Sequence, residues 1–554
     1  MTKRRGGTMR KVYRTFLLLI VSALFLFITG CSNEEPEHVL QPDQQQHQNE
    51  QIQSLLISAR EAAEKGRLSD ERWQAGMTTY PQVIDELGEP DKVIHADNGN
   101  YAIYEKAKLE LVLTANNLIC EMRSSHPELE TITEAAAEEV LGAPDEYRES
   151  DEQRVAVYNL NDEYELAVRF SASEDADATA EQIAVIHKQS AEIQSVIQNM
   201  GMDEKLGQLI MIGVQGPRLD SAAKKFIEET HVGGVILFKR NLVSVTQSLT
   251  LINELKQANA DAKAPLFISA DEEGGRVTRL PKEIMKSPSS RKIGNAESGK
   301  YAFEAGELAG RKMSAFGLNM DFAPVLDVDS NPNNPVIGDR SYSSDAKLVS
   351  KAGIRQAKGM KSQRVIPVVK HFPGHGDTSV DSHIELPVIR HTKERLQNVE
   401  LLPFKEAIQE GINAVMVGHL IVQAYDPKTP ASFSKPVIQG LLRDELQFNG
   451  VVITDDLIMG AIGKNYSIGD AAIQSILAGG DILLVGHDYQ PVTDVLTALH
   501  NALDEGTITE QRINQSVERI LLVKQQYEVD DLPHEKVDVE ELNRLTKELL
   551  NKLQ

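Results

Sequence analysis

Two segments of the chain concentrate residues that can carry proton transfer and nucleophilic attack. The first segment, residues 370–383, reads Lys-His-Phe-Pro-Gly-His-Gly-Asp-Thr-Ser-Val-Asp-Ser-His. The second, residues 450–456, is an apolar run that ends in Thr454, Asp455 and Asp456. Imidazole and carboxylate groups exchange protons near neutral pH, and a carboxylate can also act as a nucleophile. Because successive strand residues point in opposite directions, only one of the two aspartates can face a given site.

Short apolar runs must position these residues. Eight short runs are mostly apolar, and most of them are rich in Val, Ile and Leu, which is typical of strands buried on both faces, as in a parallel sheet. The runs are Leu209–Val214, Val235–Phe238, Leu266–Ser269, Met320–Val325, Val365–Val369, Ala414–Val417, Val451–Thr454 and Ile482–Val485.

Helical patterns separate the eight runs, and nearly every run ends in polar or ionisable residues. Strand–helix alternation repeated eight times predicts an α/β fold with a (β/α)₈ TIM-type barrel over residues 191–530. A doubly wound open sheet is the alternative, but it would spread the strand ends along an edge, whereas a barrel brings them to one face. The spacing of Leu542, Leu545 and Leu549 predicts a C-terminal helix within residues 531–554.

Several long motifs indicate which family the barrel resembles. They are residues 271–279 (Asp-Glu-Glu-Gly-Gly-Arg-Val-Thr-Arg), 323–327 (Ala-Pro-Val-Leu-Asp), 338–340 (Gly-Asp-Arg), 370–383 and 441–456. Together they resemble glycoside hydrolase family 3, specifically its β-N-acetylglucosaminidase branch, over about residues 200–525. Little chain follows this region, so we expect the single-barrel form, in which the barrel supplies the whole site.

The resemblance implies roles for individual residues. Asp455 matches the nucleophile, His383 the acid/base, and Asp381 the carboxylate that hydrogen-bonds the imidazole and raises its pKa. Asp456 remains the alternative nucleophile from the residues alone. The expected substrate-binding residues are Asp271, Arg279, Arg340, Lys370, His371 and His419.

The activity that the resemblance implies is retaining exo-β-N-acetylglucosaminidase activity, which removes terminal β-linked N-acetylglucosamine by double displacement. The substrates it implies are peptidoglycan fragments such as N-acetylglucosaminyl-N-acetylmuramic acid, with or without peptide, in cell-wall turnover or recycling. Two other functions stay open. One is a β-N-acetylglucosaminide phosphorylase, because a neutral imidazole repels phosphate less than a glutamate would. The other is a sugar-binding lipoprotein without catalytic activity.

The sequence predicts no cofactor, no metal and no nucleic-acid partner. His371 and His375 are four residues apart, but Pro373 and Gly374 exclude a regular helix between them and no third ligand stands out. The sequence has no Gly-rich phosphate loop at a strand–helix junction, no His-Glu-x-x-His and no Gly-x-Ser-x-Gly motif. A net charge of −24 opposes binding to phosphate backbones.

Residues 1–31 resemble a lipoprotein signal peptide. A basic stretch precedes the apolar run 16–28, which is short for a membrane span. The run ends in Ile-Thr-Gly-Cys31, which resembles the bacterial lipobox, so Cys31 is the expected lipidation site. We therefore expect an exported protein that is lipid-anchored to the outer face of the cell membrane, with residues 32–69 as a polar tether. An uncleaved anchor helix is the alternative.

An internal repeat precedes the barrel. Leu87–Asp91 (Leu-Gly-Glu-Pro-Asp) recurs 54 residues later as Leu141–Asp145 (Leu-Gly-Ala-Pro-Asp). Each copy predicts a short helix, a turn and two or three alternating strands, so we expect a small α+β tandem-repeat domain over residues 70–190. Its Cys120 has the apolar setting of a core residue. The domain is either a spacer or a contact to the wall or to a protein partner.

Overall fold

The computed structural model describes residues 42–68, 72–96, 99–149, 153–171, 178–378 and 386–554. The predicted signal peptide and the lipidation site Cys31 therefore lie outside the described residues. In the described ranges, no helix is both long enough and apolar enough to cross a membrane. The chain divides into two compact units, residues 1–55 and 56–554.

Helix α1 spans Pro42–Ala63, where the sequence predicted a tether. This part of the predicted tether is helical. Gln, Glu, Ala and Leu all have high helix propensity, and the segment is rich in them. In addition, Leu56 and Ala63 are buried, so the C-terminal half of the helix packs against the rest of the protein.

An antiparallel sheet of eight strands follows, in the order β1-β2-β3-β4-β8-β7-β6-β5. The two copies of the repeat each supply one helix and four strands, and they join where β4 pairs with β8. Helix α2 is Tyr80–Leu87 and helix α3 is Glu134–Leu141. The strands are β1 Lys92–Ala96, β2 Gly99–Tyr104, β3 Leu109–Leu113, β4 Ile119–Ser124, β5 Glu146–Glu149, β6 Gln153–Asn159, β7 Tyr164–Ser171 and β8 Ala180–His187.

The repeated Leu-Gly-x-Pro-Asp turn makes the same contacts in both copies. Gly88 and Gly142 end the two helices at φ values of 83° and 88°, a region that favours glycine. The Asp91 carboxylate accepts a hydrogen bond from the Glu105 amide at 2.9 Å, and Asp145 accepts one from the Asn159 amide at 2.7 Å. The motif therefore closes each helix and connects it to the hairpin that follows.

Cys120 lies in the core of this domain. The side chain is 3% exposed, and its Sγ donates to the Val112 carbonyl at 3.3 Å. Burial raises the pKa of the thiol well above its ordinary value. The thiol is therefore protonated and unreactive at neutral pH.

The second sheet is the predicted parallel barrel. Its strand order is β17-β15-β13-β12-β11-β10-β9-β18, and a parallel bridge between Ile453 and Ile482 brings the two ends together. This confirms the expected fold class and excludes an open doubly wound sheet. The strands are β9 Ile210–Gly213, β10 Gly234–Leu237, β11 Phe267–Ala270, β12 Met320–Asp321, β13 Ile366–Phe372, β15 Ala414–Val417, β17 Val451–Thr454 and β18 Leu483–Val485.

Helices surround the barrel. Two short strands, β14 (Val388–Ile389) and β16 (Ile421–Val422), pair outside the main sheet. A π-helix covers Pro436–Glu445, and 3₁₀ turns cover Pro127–Thr131, Ala296–Ser298, Gly338–Arg340 and Ala431–Phe433. The helices are α4 Lys188–Asn199, α5 Met202–Gln208, α6 Ser221–Thr230, α7 Val245–Ala258, α8 Ser290–Asn295, α9 Ala302–Phe316, α10 Ala346–Lys361, α11 Lys393–Asn398, α12 Leu402–Gln409, α13 Gly460–Gly463, α14 Ile468–Ala478, α15 Tyr489–Asp504, α16 Glu510–Gln526 and α17 Val539–Lys552.

The antiparallel sheet meets the barrel domain on helix α16. Glu518 of α16 accepts a hydrogen bond from the Asn116 amide at 3.0 Å, and the Asn116 side chain donates to the Gln515 carbonyl at 3.1 Å. The Glu518 side chain is 2% exposed, and this burial raises the pKa of its carboxyl group. The contact involves the outer helical layer rather than the loops at the strand ends.

Candidate active site

A cavity of about 380 Å³ opens at the carboxyl ends of the barrel strands, a volume typical of small-molecule sites. Its lining comes from residues that end or follow β10, β11, β13, β17 and β18, together with the loop that carries Arg340. Catalytic groups of TIM barrels come from this face. Five of the six expected substrate-binding residues line the cavity: Asp271, Arg279, Arg340, Lys370 and His371.

One wall of the cavity is a network of alternating charges. Lys370 Nζ donates to Asp271 Oδ1 at 2.6 Å and lies 2.8 Å from Glu273 Oε1. Arg340 binds Glu273 in a bidentate manner, with Nε to Oε2 at 2.8 Å and Nη2 to Oε1 at 2.7 Å. Arg279 Nη2 donates to Asp271 Oδ2 at 3.3 Å. The network holds each side chain in a defined orientation, with donors and acceptors suited to sugar hydroxyls.

Burial and charge pairing have opposite effects on the carboxylates of this wall. Burial alone would raise the pKa of Glu273, but Lys370 and Arg340 outweigh it and hold the pKa well below the ordinary value. Burial also opposes ionisation of Asp271, whose pKa is nevertheless lowered by Lys370 and Arg279. The pKa of Lys370 is raised, because both carboxylates outweigh the effect of its burial. All three groups therefore stay charged at neutral pH.

His371 is oriented from below by Asp327. Its Nδ1 lies 2.6 Å from Asp327 Oδ2, and Asp327 is fully buried. The second carboxylate oxygen accepts the amide of His375 at 2.6 Å. A carboxylate at Nδ1 fixes a proton there, so Nε2 is the nitrogen presented to the cavity, 3.4 Å from Arg340 Nη2.

His375 also lines the cavity and is 2% exposed. Its Nδ1 lies 2.9 Å from Thr378 Oγ1, while its Nε2 has no hydrogen-bond partner in the described part of the chain. Burial and the neighbouring His371 lower the pKa of His375, so the ring is neutral. Among the described residues, no group of three or more His, Cys, Asp and Glu side chains is arranged to hold a metal ion.

The two aspartates after β17 have different environments. Asp455 lies at the strand end, where its amide donates to the Val417 carbonyl at 3.0 Å, and its side chain is partly exposed in the cavity. Asp456 is 6% exposed, and its Oδ1 accepts the amides of Ile458 and Gly486, each at 3.2 Å. Both aspartates line the cavity; Asp456 also organises the local backbone, and Asp455 is the more exposed of the two.

His419 lies behind the cavity and is not part of its described lining. The side chain is fully buried, with Nδ1 2.7 Å from Ser432 Oγ and Nε2 2.9 Å from the Asp456 carbonyl. The expectation that it contacts the sugar therefore does not fit its position. Its contacts support the backbone next to Asp455 instead.

Two expected catalytic residues, His383 and Asp381, lie outside the described residues. Two residues of the charged wall were not singled out as site residues from the sequence, Glu273 and Asp327. Both belong to quoted motifs and both follow apolar runs at strand ends, which is the signal that identified Asp271 and Lys370. Their roles became visible only through their contacts, because each binds a side chain from a distant part of the sequence.

A carboxylate beside a hydrogen-bonding wall at the strand ends of a parallel barrel meets one requirement of glycoside cleavage. Residues 201–523 match the Glycosyl hydrolase family 3 N terminal domain. The chain belongs to glycosyl hydrolase family 3. Residues 56–187, which contain the antiparallel sheet, match a domain of unknown function (DUF4309).

Several relatives are similar to this chain. A β-hexosaminidase A from Pseudoalteromonas piscicida is 35% identical over 324 residues, 54% of this chain and 54% of that protein, so the chain spans about half of that relative's length. A β-hexosaminidase from Idiomarina loihiensis is 36% identical over 327 residues, 58% of this chain and 95% of that protein. The structure of a glycoside hydrolase family 3 β-N-acetylglucosaminidase from Paenibacillus sp. FPU-7 matches with a TM-score of 0.62 and 43% identity, covering 64% of this chain and 69% of that one.

Proposed function

We propose that the protein is a retaining exo-β-N-acetylglucosaminidase that acts on cell-wall fragments. The observation that carries the proposal is the placement of Asp455 in the same cavity as the Asp271, Lys370 and Arg340 side chains. A carboxylate beside a wall that orients sugar hydroxyls meets the first requirement of retaining hydrolysis. The similarity to β-hexosaminidases supports N-acetylglucosamine as the sugar.

The proposed reaction has two displacements. In the first, an Asp455 carboxylate oxygen forms a bond to the anomeric carbon as the glycosidic C–O bond breaks, and the departing oxygen takes a proton from His383. In the second, water attacks the anomeric carbon, His383 accepts a proton of that water, and the bond to Asp455 breaks. Asp381 would hydrogen-bond the His383 ring and stabilise its protonated form.

The charged wall would bind the terminal sugar. Asp271 is an acceptor for sugar hydroxyls, while Arg279, Arg340 and His371 supply donors or acceptors directed at the cavity. Because Lys370 and Glu273 hold these groups in place before substrate arrives, little reorganisation is required in the transition state.

We infer the substrate class and location from the N-terminal segment. The lipobox-like Ile-Thr-Gly-Cys31 sequence supports export and lipidation, which would anchor the enzyme to the outer face of the cell membrane. Fragments of peptidoglycan carrying terminal N-acetylglucosamine are released there, so wall turnover or recycling is the proposed role. Metabolic labelling with a palmitate analogue should label the protein, and Cys31→Ala should remove the label.

The decisive experiment measures nitrophenol release from the β-N-acetylglucosaminide and the β-glucoside, each with and without phosphate. We expect release from the N-acetylglucosaminide alone and no dependence on phosphate. Proton NMR of the first product formed should show the β-anomer, because two inversions retain configuration. Phosphate-dependent release would instead assign a phosphorylase, and an α-anomer would exclude the double displacement.

A further inference from the structure

A second cavity, of about 510 Å³, lies at the end of the barrel opposite to Asp455. Asn413 and Gly450 line this cavity and directly precede β15 and β17, so it opens at the amino ends of these strands. Helices α12 and α16 and the segment before β17 supply most of the remaining lining. The proposed reaction uses none of these residues. We call the space between these elements the basal cavity.

The basal cavity lies where the antiparallel-sheet domain joins the barrel. Its lining includes Gln189, the second residue of α4, and α4 directly follows the last strand of the sheet, β8. Gln189 also falls between the two regions that match known families, residues 56–187 and 201–523. On α16, Arg519 lines the cavity, and the preceding residue, Glu518, binds the antiparallel sheet. The joined domains therefore build this cavity, rather than the barrel alone.

Arg519 offers hydrogen-bond donors to the basal cavity. Its Nη1 lies 3.1 Å from Asp481 Oδ1 and donates to the Gln515 carbonyl at 3.4 Å. In the part of the chain that the structure describes, its Nε and Nη2 have no hydrogen-bond partner. The side chain is 16% exposed, so a ligand in the cavity can reach it. The Nε and Nη2 edge of a guanidinium group has the planar geometry that binds both oxygens of a carboxylate.

The buried charges beside Arg519 do not balance. Asp481 is fully buried, and its Oδ2 lies 2.5 Å from Arg443 Nη2. Its Oδ1 lies 3.1 Å from Arg519 Nη1 and 3.7 Å from Arg512 Nη2. Burial, together with the charges of the other two arginines, lowers the pKa of Arg443 from 12.5 to about 9, although Asp481 opposes this effect. Glu518 faces the sheet, and burial raises the pKa of its carboxyl group. A negative charge in the cavity would therefore reduce the repulsion among three guanidinium groups that share one carboxylate.

Uncharged polar groups share the lining with Arg519, which is the one charged residue in the described lining. Five of them are carboxamides, from Gln189, Asn413, Gln447, Asn449 and Gln526. A carboxamide both donates and accepts hydrogen bonds, as a peptide group does, so the two can pair. The lining also has the apolar side chains of Ile408, Ile412, Leu522 and Val523. The cavity thus combines one cation with groups that suit peptide bonds and aliphatic side chains.

We propose that the basal cavity binds the C-terminal carboxylate of a short peptide. The carboxylate would accept hydrogen bonds from Nε and Nη2 of Arg519, and the carboxamide side chains would bind the adjoining peptide groups. One guanidinium edge matches the two oxygens and single charge of a carboxylate. The site lies outside the catalytic cavity, so the proposal stands independently of the proposed activity. It gives the junction between the two domains a binding role of its own.

The test measures binding to the full-length protein by isothermal titration calorimetry at low ionic strength. The three probes are Nα-acetyl-Ala-Ala with a free carboxylate, the same dipeptide as its C-terminal amide, and inorganic phosphate. We expect the acid to bind with a Kd of about 1 mM or lower. The amide should bind about 10- to 100-fold more weakly, because the charge-assisted pair with Arg519 is lost. Phosphate should also bind more weakly than the acid, since it has no peptide groups for the carboxamides.

Three variants locate the binding site. Arg519→Lys keeps a positive charge beside Asp481 but removes the planar edge, so it should weaken binding of the acid by about 10-fold. Gln189→Ala leaves the arginine–aspartate cluster intact and should weaken it by about 2- to 10-fold, the effect of one neutral hydrogen bond. Arg544→Gln is the matched control, because Arg544 is exposed on α17, where it pairs with Glu541; it should bind the acid as the wild type does. Circular dichroism checks that each variant is folded.

Each outcome decides for or against the site. Selective binding of the acid, weakened by Arg519→Lys and Gln189→Ala but not by Arg544→Gln, would establish it. Equal affinity for the acid and the amide would overturn carboxylate recognition, and phosphate that binds as tightly as the acid would overturn the peptide assignment. Binding of the acid that neither Arg519→Lys nor Gln189→Ala weakens would place the peptide elsewhere, and the proposal would also fall if the wild-type protein did not bind the acid.

Discussion

The Asp327 carboxylate lies 2.6 Å from His371 Nδ1 at the base of the cavity, and this contact leaves Nε2 as the nitrogen of His371 that faces the cavity. In Asp327→Asn, the single amide oxygen cannot replace both carboxylate oxygens, which also bind the His375 amide. We expect kcat/KM on the nitrophenyl glycoside to fall by roughly 10- to 100-fold, the effect of losing a hydrogen bond to a charged group. Asp329→Asn, which removes a carboxylate bound to Arg291 in the same loop, should have a much smaller effect. Similar losses in both variants would contradict this role for Asp327.

Substitution of the two aspartates after β17 should reduce the activity to very different extents. Asp455→Asn should reduce kcat by about 10³-fold or more, because it removes the proposed nucleophile. Asp456→Asn should cost far less: Asp456 also lines the cavity, but its Oδ1 accepts the amides of Ile458 and Gly486 and is held by the backbone. Circular dichroism of both variants would show whether the fold is retained. If both variants were folded and Asp456→Asn were the less active, Asp456 would be the nucleophile instead.

Glu273 should be as important for stability as for binding. Glu273→Gln leaves Lys370 and Arg340 buried with one fewer negative charge, and breaking a buried pair of this kind costs about 3–5 kcal/mol. Because the folded-state pKa of Glu273 is lowered, its stabilisation is complete above the ordinary value of 4.5 and is lost as the pH falls below it. Urea denaturation followed by circular dichroism should therefore show a much lower free energy of unfolding for Glu273→Gln than for the wild type at pH 7. The difference between the two proteins should become smaller below about pH 5. If the difference in unfolding free energy did not change with pH, the charge of Glu273 would not be the source of the stabilisation.

Lys524 should make the stability depend on pH in a second way, because burial destabilises the charged form of this lysine instead of an ion pair stabilising it. It is fully buried, donates to Gln208 Oε1 at 2.7 Å, and burial lowers its pKa from 10.5 to about 7. Between these values the unfolded chain holds a proton that the folded protein has lost, so the free energy of unfolding rises with pH, by up to about 1.4 kcal/mol per unit. In Lys524→Met this rise should be absent. The free energy of unfolding of the variant, relative to that of the wild type, should therefore be higher at pH 7 than at pH 9.5.

A matched control tests whether this effect is specific to the buried lysine. Lys547 is exposed on α17, and Lys547→Met should leave the pH dependence of the wild type intact. The single tryptophan, Trp73, precedes the antiparallel sheet, so circular dichroism rather than fluorescence should follow the barrel. If the free energy of unfolding changed with pH in the same way for the wild type and Lys524→Met, Lys524 would not titrate between the two pKa values given above.

The barrel was predictable because its strands are buried on both faces and therefore form continuous apolar runs. The fourth run shows the limit of that argument. Residues 320–325 were expected to be one strand, but β12 covers only Met320–Asp321. Pro324 has no amide hydrogen to give to a ladder, and only Val325 bridges to Lys370 beyond it. Conversely, β13 runs on through Lys370 and His371, which no apolar pattern indicates.

The site was predictable to the extent that its residues belong to motifs. Asp271, Lys370 and Asp455 each follow an apolar run, and the structure brings all three to one cavity. His419 has the same sequence signature, yet both ring nitrogens are bound to Ser432 and the Asp456 backbone. Spacing along a strand cannot distinguish a side chain that faces the cavity from one that passes behind it.

The contact between Asn116 and Glu518 bears on how such a protein can arise. The antiparallel sheet contacts the outer surface of α16, and none of the described residues that line the cavity belongs to that sheet. The Idiomarina relative fits this view, because 95% of its length is matched by only 58% of this chain. The region shared with that relative is thus separable in sequence from the antiparallel sheet, and the described cavity residues all come from the shared region.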